Sequence, residues 1–360
     1  MALKTDRSLV AWGHAARGGY ISEHIRAQLS SGVAAITSSY YAFAALSITG
    51  TVVAWGDAAF GGDLLSVAYQ LQGKTAVALY SNAYAFVAVL STGRVVTWGS
   101  EERGGSSAEV HYLLRNVREV YSTLDAFAAV TVAGGVVTWG MHGGLGAYQP
   151  NPSAAQLTSG VVSIASTIYA FAALKTTGEV VAWGDPSFGG QTGSVQAQLT
   201  GVVDVFASVT AFAALTSTGK VVVWGDQRFG GAAGDVASQL VGGVSAVFSG
   251  SYSFAAITSA VGGRSEVVAW GSAEYGGNTS GVNFGSDMYE VVDIVGSLRY
   301  DNTFSRHAPT SSPTTAEGVT DTPTAQHDTA APTVTVHDSW SQQCEPFYAN
   351  GCSTSKYYYD

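Results

Sequence analysis

The sequence predicts an all-β fold: a seven-bladed β-propeller closed by its N- and C-terminal strands and followed by a disordered tail. Three observations predict it. The dipeptide Trp-Gly recurs seven times at a nearly constant spacing. A strand with two apolar faces recurs ahead of it, and the two ends of the repeat region are complementary fragments of one repeat.

The tryptophans stand at Trp12, Trp55, Trp98, Trp139, Trp183, Trp224 and Trp270, at intervals of 43, 43, 41, 44, 41 and 46 residues. Periods of this size mark solenoids, propellers and arrays. The best-formed copy runs from Gly160 to Gly190. Val161–Ala165 reads as a first strand and Tyr169–Leu174 as a second. Thr176-Thr-Gly178 is a turn, and Glu179–Trp183 a third strand. Both alternating residue sets of Ala170-Phe-Ala-Ala-Leu174 are apolar, so both faces of that strand are covered. A half-exposed sheet would alternate apolar with polar. Blades stacked around an axis bury both faces, and small alanines suit their crowded inner strands. The segment recurs around Phe43, Phe86, Phe127, Phe212 and Phe254.

Closure follows from the ends. Residues 2–13 align without a gap on residues 173–184, so the chain begins partway through a repeat. Val291-Val-Asp-Ile294 matches Val202-Val-Asp-Val205, the start of one. One blade is therefore assembled from both ends, which leaves the ring only short, protected edges. The propeller is expected to span residues 1–304 and the tail residues 305–360.

Composition agrees. Only 12% of the 360 residues are charged and 44 are Gly, a mix suited to buried strands and tight turns rather than to helices. The net charge is −10, with no basic stripe. That argues against nucleic acid, whose phosphate backbone needs clustered Lys and Arg. No run reaches membrane-span length, and the N-terminus carries no signal-like apolar stretch. A monomer of the cytoplasm or nucleus, with no membrane partner, is the expectation; secretion is the alternative.

Residues 305–338 hold 12 Ser or Thr and 4 Pro, too little apolar surface to offset the entropy of ordering. The C-terminal stretch is richer in aromatics and contains Cys344 and Cys352, the chain's two cysteines. They can close a small disulfide loop or stay as two thiols, depending on compartment.

The repeat resembles that of the regulator of chromosome condensation family, whose propellers have seven blades. The resemblance rests on a small residue before Ala-Leu, a Gly turn, two β-branched positions, Trp-Gly, and a Gly six residues after the Trp. That last residue is Gly18, Gly61, Gly104, Gly189, Gly230 and Gly276. There are departures. Ala170, Ala211 and Ser253 stand where the family commonly has His, and one loop shortens to Trp139-Gly-Met-His-Gly-Gly144. The copies are compact, closer to those of secreted bacterial β-lactamase inhibitors of this architecture.

No phosphate loop, zinc signature or nucleophile elbow occurs. The chain is therefore expected to be non-enzymatic, with no cofactor and no metal. The tryptophans are expected in the core, packing blade on blade. Asp57, Asp185 and Asp226 directly follow Trp-Gly and are expected to start turns rather than bind metal. The loops after Trp-Gly vary between copies and share one face. There Arg17, Phe60, Arg103, Phe188, Arg228, Phe229 and Tyr275 form the candidate partner-binding set, since Arg and aromatic residues dominate interface hot spots. The alternative is that the rings plug their own blades.

The expected function is a protein-interaction module that binds a macromolecular partner through this face. The resemblance adds two alternatives: guanine nucleotide exchange on a small GTPase, and substrate recognition for ubiquitin transfer. A carbohydrate-binding propeller is a further one and requires exposed tryptophans.

Overall fold

The computed structural model describes residues 1–141, 154–259 and 265–279. The chain divides into two units, Met1–Arg306 and His307–Asp360. All described residues lie in the first. They build a seven-bladed β-propeller whose sheets are all antiparallel: one two-stranded and six three-stranded.

The two-stranded sheet pairs β1 (Ala2–Leu3) with β2 (Leu9–Val10). The Trp55 blade is β3 (Val33–Ser38), β4 (Ala42–Ser47) and β5 (Val52–Gly56). The Trp98 blade is β6 (Ala76–Ser81), β7 (Ala85–Leu90) and β8 (Val95–Gly99). The Trp139 blade follows as β9 (Val117–Ser122), β10 (Ala126–Thr131) and β11 (Val136–Gly140). The Trp183 blade is β12 (Val161–Ser166), β13 (Ala170–Lys175) and β14 (Val180–Gly184). The Trp224 blade is β15 (Val202–Ala207), β16 (Ala211–Thr216) and β17 (Val221–Gly225). The Trp270 blade is β18 (Val244–Ser249), β19 (Ser253–Ser259) and β20 (Ser265–Gly271). Among the described residues no helix is long and apolar enough to cross a membrane.

The middle strand of each three-stranded blade is the Ala-Phe-Ala-Ala segment or a close variant, Ala85-Phe-Val-Ala in β7 and Ser253-Phe-Ala-Ala in β19, and in β13 Ala170 to Leu174 are all buried. The apolar pairs on its two faces pack against the blades on either side. The first strands of successive blades touch one another, β3 with β6 through β15 with β18, so they line the axis. Third strands stand at the outer edge.

One joint repeats between blades. The Trp of each three-stranded blade lies opposite the Phe of its middle strand, as Phe86 does Trp98, and the two rings stack with centroids 5.3 Å apart. The glycine turn of the preceding blade closes over this pair. Trp98 Nε1 donates to the carbonyl of Gly61, and Trp55, Trp139, Trp224 and Trp270 do the same to Gly18, Gly104, Gly189 and Gly230 at 3.0–3.2 Å. Gly61 has φ +88°, and a Cβ there would lie 2.6 Å from the Phe86 ring. Only glycine gives both the backbone conformation and the close approach.

Trp12 departs from the expected core set. Trp55, Trp98, Trp139, Trp183, Trp224 and Trp270 are at most 5% exposed, whereas Trp12 is 62% exposed. The pairing of Ala2 with Val10 and Leu3 with Leu9 puts the position opposite Trp12 ahead of Met1. Among the described residues the indole has no stacked Phe and no glycine carbonyl meets it.

The N-terminal hairpin otherwise follows the blade register. Ala2↔Val10 and Leu3↔Leu9 correspond to Ala173↔Val181 and Leu174↔Val180. The Val33 amide donates to the carbonyl of Arg7 at 3.1 Å, as the Val202 amide does to Gly178 at 3.0 Å. Arg7 adopts φ +61° to hold the position that glycine fills elsewhere. The matching C-terminal segment Val291–Ile294, the tail, and Cys344 with Cys352 lie outside the described residues.

Candidate interaction face

Each middle strand starts, and each third strand ends, on the same side of the propeller, since Ala42 pairs with Gly56 and Ala170 with Gly184. Two sets of turns converge on that face. The inner set joins first to middle strands and the outer set follows Trp-Gly.

The inner turns are tied together by backbone. The Tyr40 amide donates to the Ala83 carbonyl, Ala83 to Leu124, Leu124 to Ile168, Ile168 to Val209 and Val209 to Ser251, at 2.9–3.1 Å. Five blade-to-blade steps around the axis are thus fixed without side chains. Hydroxyls add a second tie, because Ser81, Ser122 and Ser166 each donate to a carbonyl of the blade before at 2.8–3.0 Å.

The outer turns are short 3₁₀ turns closed by glycine. Asp57, Asp185 and Asp226 cap them by accepting the amides of Ala59, Ser187 and Arg228 at 2.8–3.0 Å. This is the turn chemistry expected of them. Among the described residues no three His, Cys, Asp or Glu side chains gather into a metal-holding group. In several blades one residue at the start of the inner turn then locks an outer turn in place. Ser39 Oγ accepts the Ala42 amide and donates to the Phe60 carbonyl at 2.9 Å. Asn82 and Thr167 do the same for Arg103 and Phe188, at 2.8 and 3.0 Å. Such positioning on a rigid frame is what a recognition surface requires.

The structure brings most of the predicted partner-binding residues against a set of tyrosines. Arg17 lies 4.3 Å over the Tyr41 ring and Arg103 3.9 Å over the Tyr84 ring. Phe60 meets Tyr41 edge-on at 4.6 Å and stacks on Tyr84 at 5.6 Å. Phe188 packs edge-on to Tyr169. Phe229 and Tyr275 both contact Tyr252, at 4.9 and 4.8 Å. Phe60, Phe188 and Phe229 are half-buried, with one side packed and one open; Arg17, Arg228 and Tyr275 are exposed. Burial above all, then the nearby Asp125 carboxylate, pushes the Tyr169 phenol up. It therefore stays a hydrogen-bond donor at neutral pH.

Sequence reasoning missed Tyr41, Tyr84, Tyr169 and Tyr252. Their signal is a Tyr two residues before the middle-strand Phe, broken by Asp125 and Thr210 in the other two copies. The arrangement offers aromatic surface, guanidinium groups and phenols on a fixed frame.

No family model and no curated protein matches the chain. Similar solved structures include the ectodomain of the Physcomitrella patens receptor kinase CR4, with 16% identity over 67% of this chain and a TM-score of 0.39. The match spans 61% of that ectodomain, less than two thirds of its length. Human WBSCR16 matches at 16% identity over 66% of this chain and 76% of its own, with a TM-score of 0.41. Prp20p of Saccharomyces cerevisiae, a protein with binding properties to Gsp1p and histones, matches at 18% identity over 66% and 72%, with a TM-score of 0.40. These scores are too low to carry an argument, so the fold rests on the chain's own sheets and registers. Together, the Trp-Gly repeat and the blades it forms make this chain a seven-bladed propeller similar to those of the regulator of chromosome condensation type.

Proposed function

We propose that the chain is a non-enzymatic interaction module that binds a protein partner through the face carrying the turns after Trp-Gly. One observation carries the reading. Arg and aromatic side chains that differ from blade to blade stand on turns held by recurring hydrogen bonds to the blade frame. Rigid anchors of these types hold most of the energy of protein interfaces, because little entropy is lost when they are covered. The six buried tryptophans are blade joints and not platforms for sugars.

The test is affinity capture from the native cell with the intact chain and with a variant whose outer turns are replaced by Gly/Ser turns of equal length. A partner retained by the first and lost by the second, with both equally folded, supports the reading. A partner retained equally by both overturns it.

A further inference from the structure

Five side chains stack in series across the Trp12, Trp55 and Trp98 blades: Arg17, Tyr41, Phe60, Tyr84 and Arg103. The guanidinium groups close the two ends, each lying on a tyrosine ring. Among the described residues neither guanidinium makes a hydrogen bond or ion pair. Arg228 is different. Its Nε and Nη2 donate to Asp226 at 3.1 and 2.8 Å, so its charge is answered within its own turn. A guanidinium that lies over an aromatic ring still carries its planar N–H fork at its edge, a geometry matched to a carboxylate. The whole chain has 26 acidic residues to 16 basic, yet among the described residues no carboxylate forms an ion pair with either of these two arginines.

We propose that Arg17 and Arg103 are receptors for carboxylates of a protein partner, whose acidic segment crosses Phe60 and places one carboxylate at each end of the stack. Phe60 and the tyrosines supply the apolar floor between them. The partner is an acidic peptide segment rather than a nucleic acid. Glu101 precedes Arg103 in the same turn together with Glu102, and both are exposed. They oppose a dense phosphate backbone but can be bypassed by two discrete carboxylates. The proposal rests on the interaction-face reading and names the chemistry that the face selects.

The experiment is selection of a random-peptide display library on the full chain, followed by affinity measurements with the enriched synthetic peptides. Enrichment of sequences carrying two or more Asp or Glu around an apolar residue is expected. Arg17→Gln with Arg103→Gln should weaken them at least about tenfold without moving the melting temperature. Arg228→Gln should leave them unchanged. Added salt should weaken binding to the intact chain more than to the double variant. Enrichment of neutral or basic peptides, or acidic peptides that bind the double variant equally well, would overturn the proposal. So would binding of a single-stranded oligonucleotide that depends on both arginines. If enriched peptides respond to Phe188→Ala and Phe229→Ala but not to the arginine changes, the face is an interaction surface and only the arginine assignment fails. If nothing enriches, or no face variant matters, both readings fall together.

Discussion

Trp98 Nε1 donates to the carbonyl of Gly61 on the preceding blade at 3.0 Å, and Gly61 in turn rests on the Phe86 ring that Trp98 stacks against. Three residues from two blades thereby form one joint. Its weakest tolerance is at the glycine. A left-handed backbone costs an L-residue roughly 1–2 kcal/mol, and overpacking costs roughly 1–3 kcal/mol more. Gly61→Ala should therefore lose about 2–5 kcal/mol in a denaturant titration. A loss within about 0.5 kcal/mol, as for an ordinary surface change, would show that the joint is not rigid.

The hydrogen bond of the joint can be separated from its packing. Trp183 is buried and stacked on Phe171 at 5.2 Å, but its Nε1 has no hydrogen-bond partner among the described residues. Trp98→Phe removes the donor and leaves the buried Gly61 carbonyl unpaired. Trp183→Phe removes ring volume and a donor that no described residue accepts. The first should cost about 1–2 kcal/mol more than the second, the usual penalty for a stranded polar group. Equal losses in parallel urea titrations would mean that the indole N–H contributes nothing.

Burial separates Trp183 from Trp12. Trp183 is 1% exposed and Trp12 62% exposed. Trp183→Ala should cost about 3–5 kcal/mol, as for other buried aromatic deletions. Trp12→Ala should fall within about 0.5 kcal/mol of the parent. A large loss at Trp12 would show that this indole is covered in solution.

The blade was legible in the sequence because its signals are local and repeated. Trp-Gly, the Ala-Phe-Ala-Ala segment and the glycine turn each lie within a few residues, and the observed β12, β13 and β14 differ from the expected strands by one residue at their ends. The position of Trp12 was not legible, because its burial depends on a residue opposite it and not on its own motif. The tyrosine floor escaped for a related reason. Tyr41 and Phe60 lie 19 residues apart in one blade, while Phe60 and Tyr84 belong to different blades. Only the register of pairing reveals that both meet. The arginines looked alike as rim residues; the fold distinguishes Arg228, paired with Asp226, from Arg17 and Arg103.

Deleting Met1–Ala11 should disrupt the adjoining blade. The deletion removes Leu9, which belongs to a buried cluster with Leu29, Val33, Ala45, Val53 and Trp55. It also strips the Val33 amide of its acceptor on Arg7 and the Leu29 carbonyl of its donor on Leu9. An uncovered apolar blade with open backbone groups invites association. The truncated chain should show a lower melting temperature and a larger species in light scattering. A monomer of unchanged thermal stability would mean that the hairpin is not an integral part of the ring.

Phe188 and Phe229 test the face itself. Each is half-buried, with Phe188 on Tyr169 of its own blade and Phe229 on Tyr252 of the next. Their turns are held by the Asp185 and Asp226 carboxylates, which accept the Ser187 and Arg228 amides and which alanine at the ring positions does not touch. The frame should therefore survive the loss of both rings, and only the open surface should change. Hot-spot aromatics are each worth about 2 kcal/mol or more at an interface. Phe188→Ala with Phe229→Ala should weaken binding of the captured partner at least about tenfold. The melting temperature should stay within a few degrees. The opposite outcome, unaltered affinity with a large drop in melting temperature, would identify both rings as blade plugs and place recognition elsewhere on the propeller.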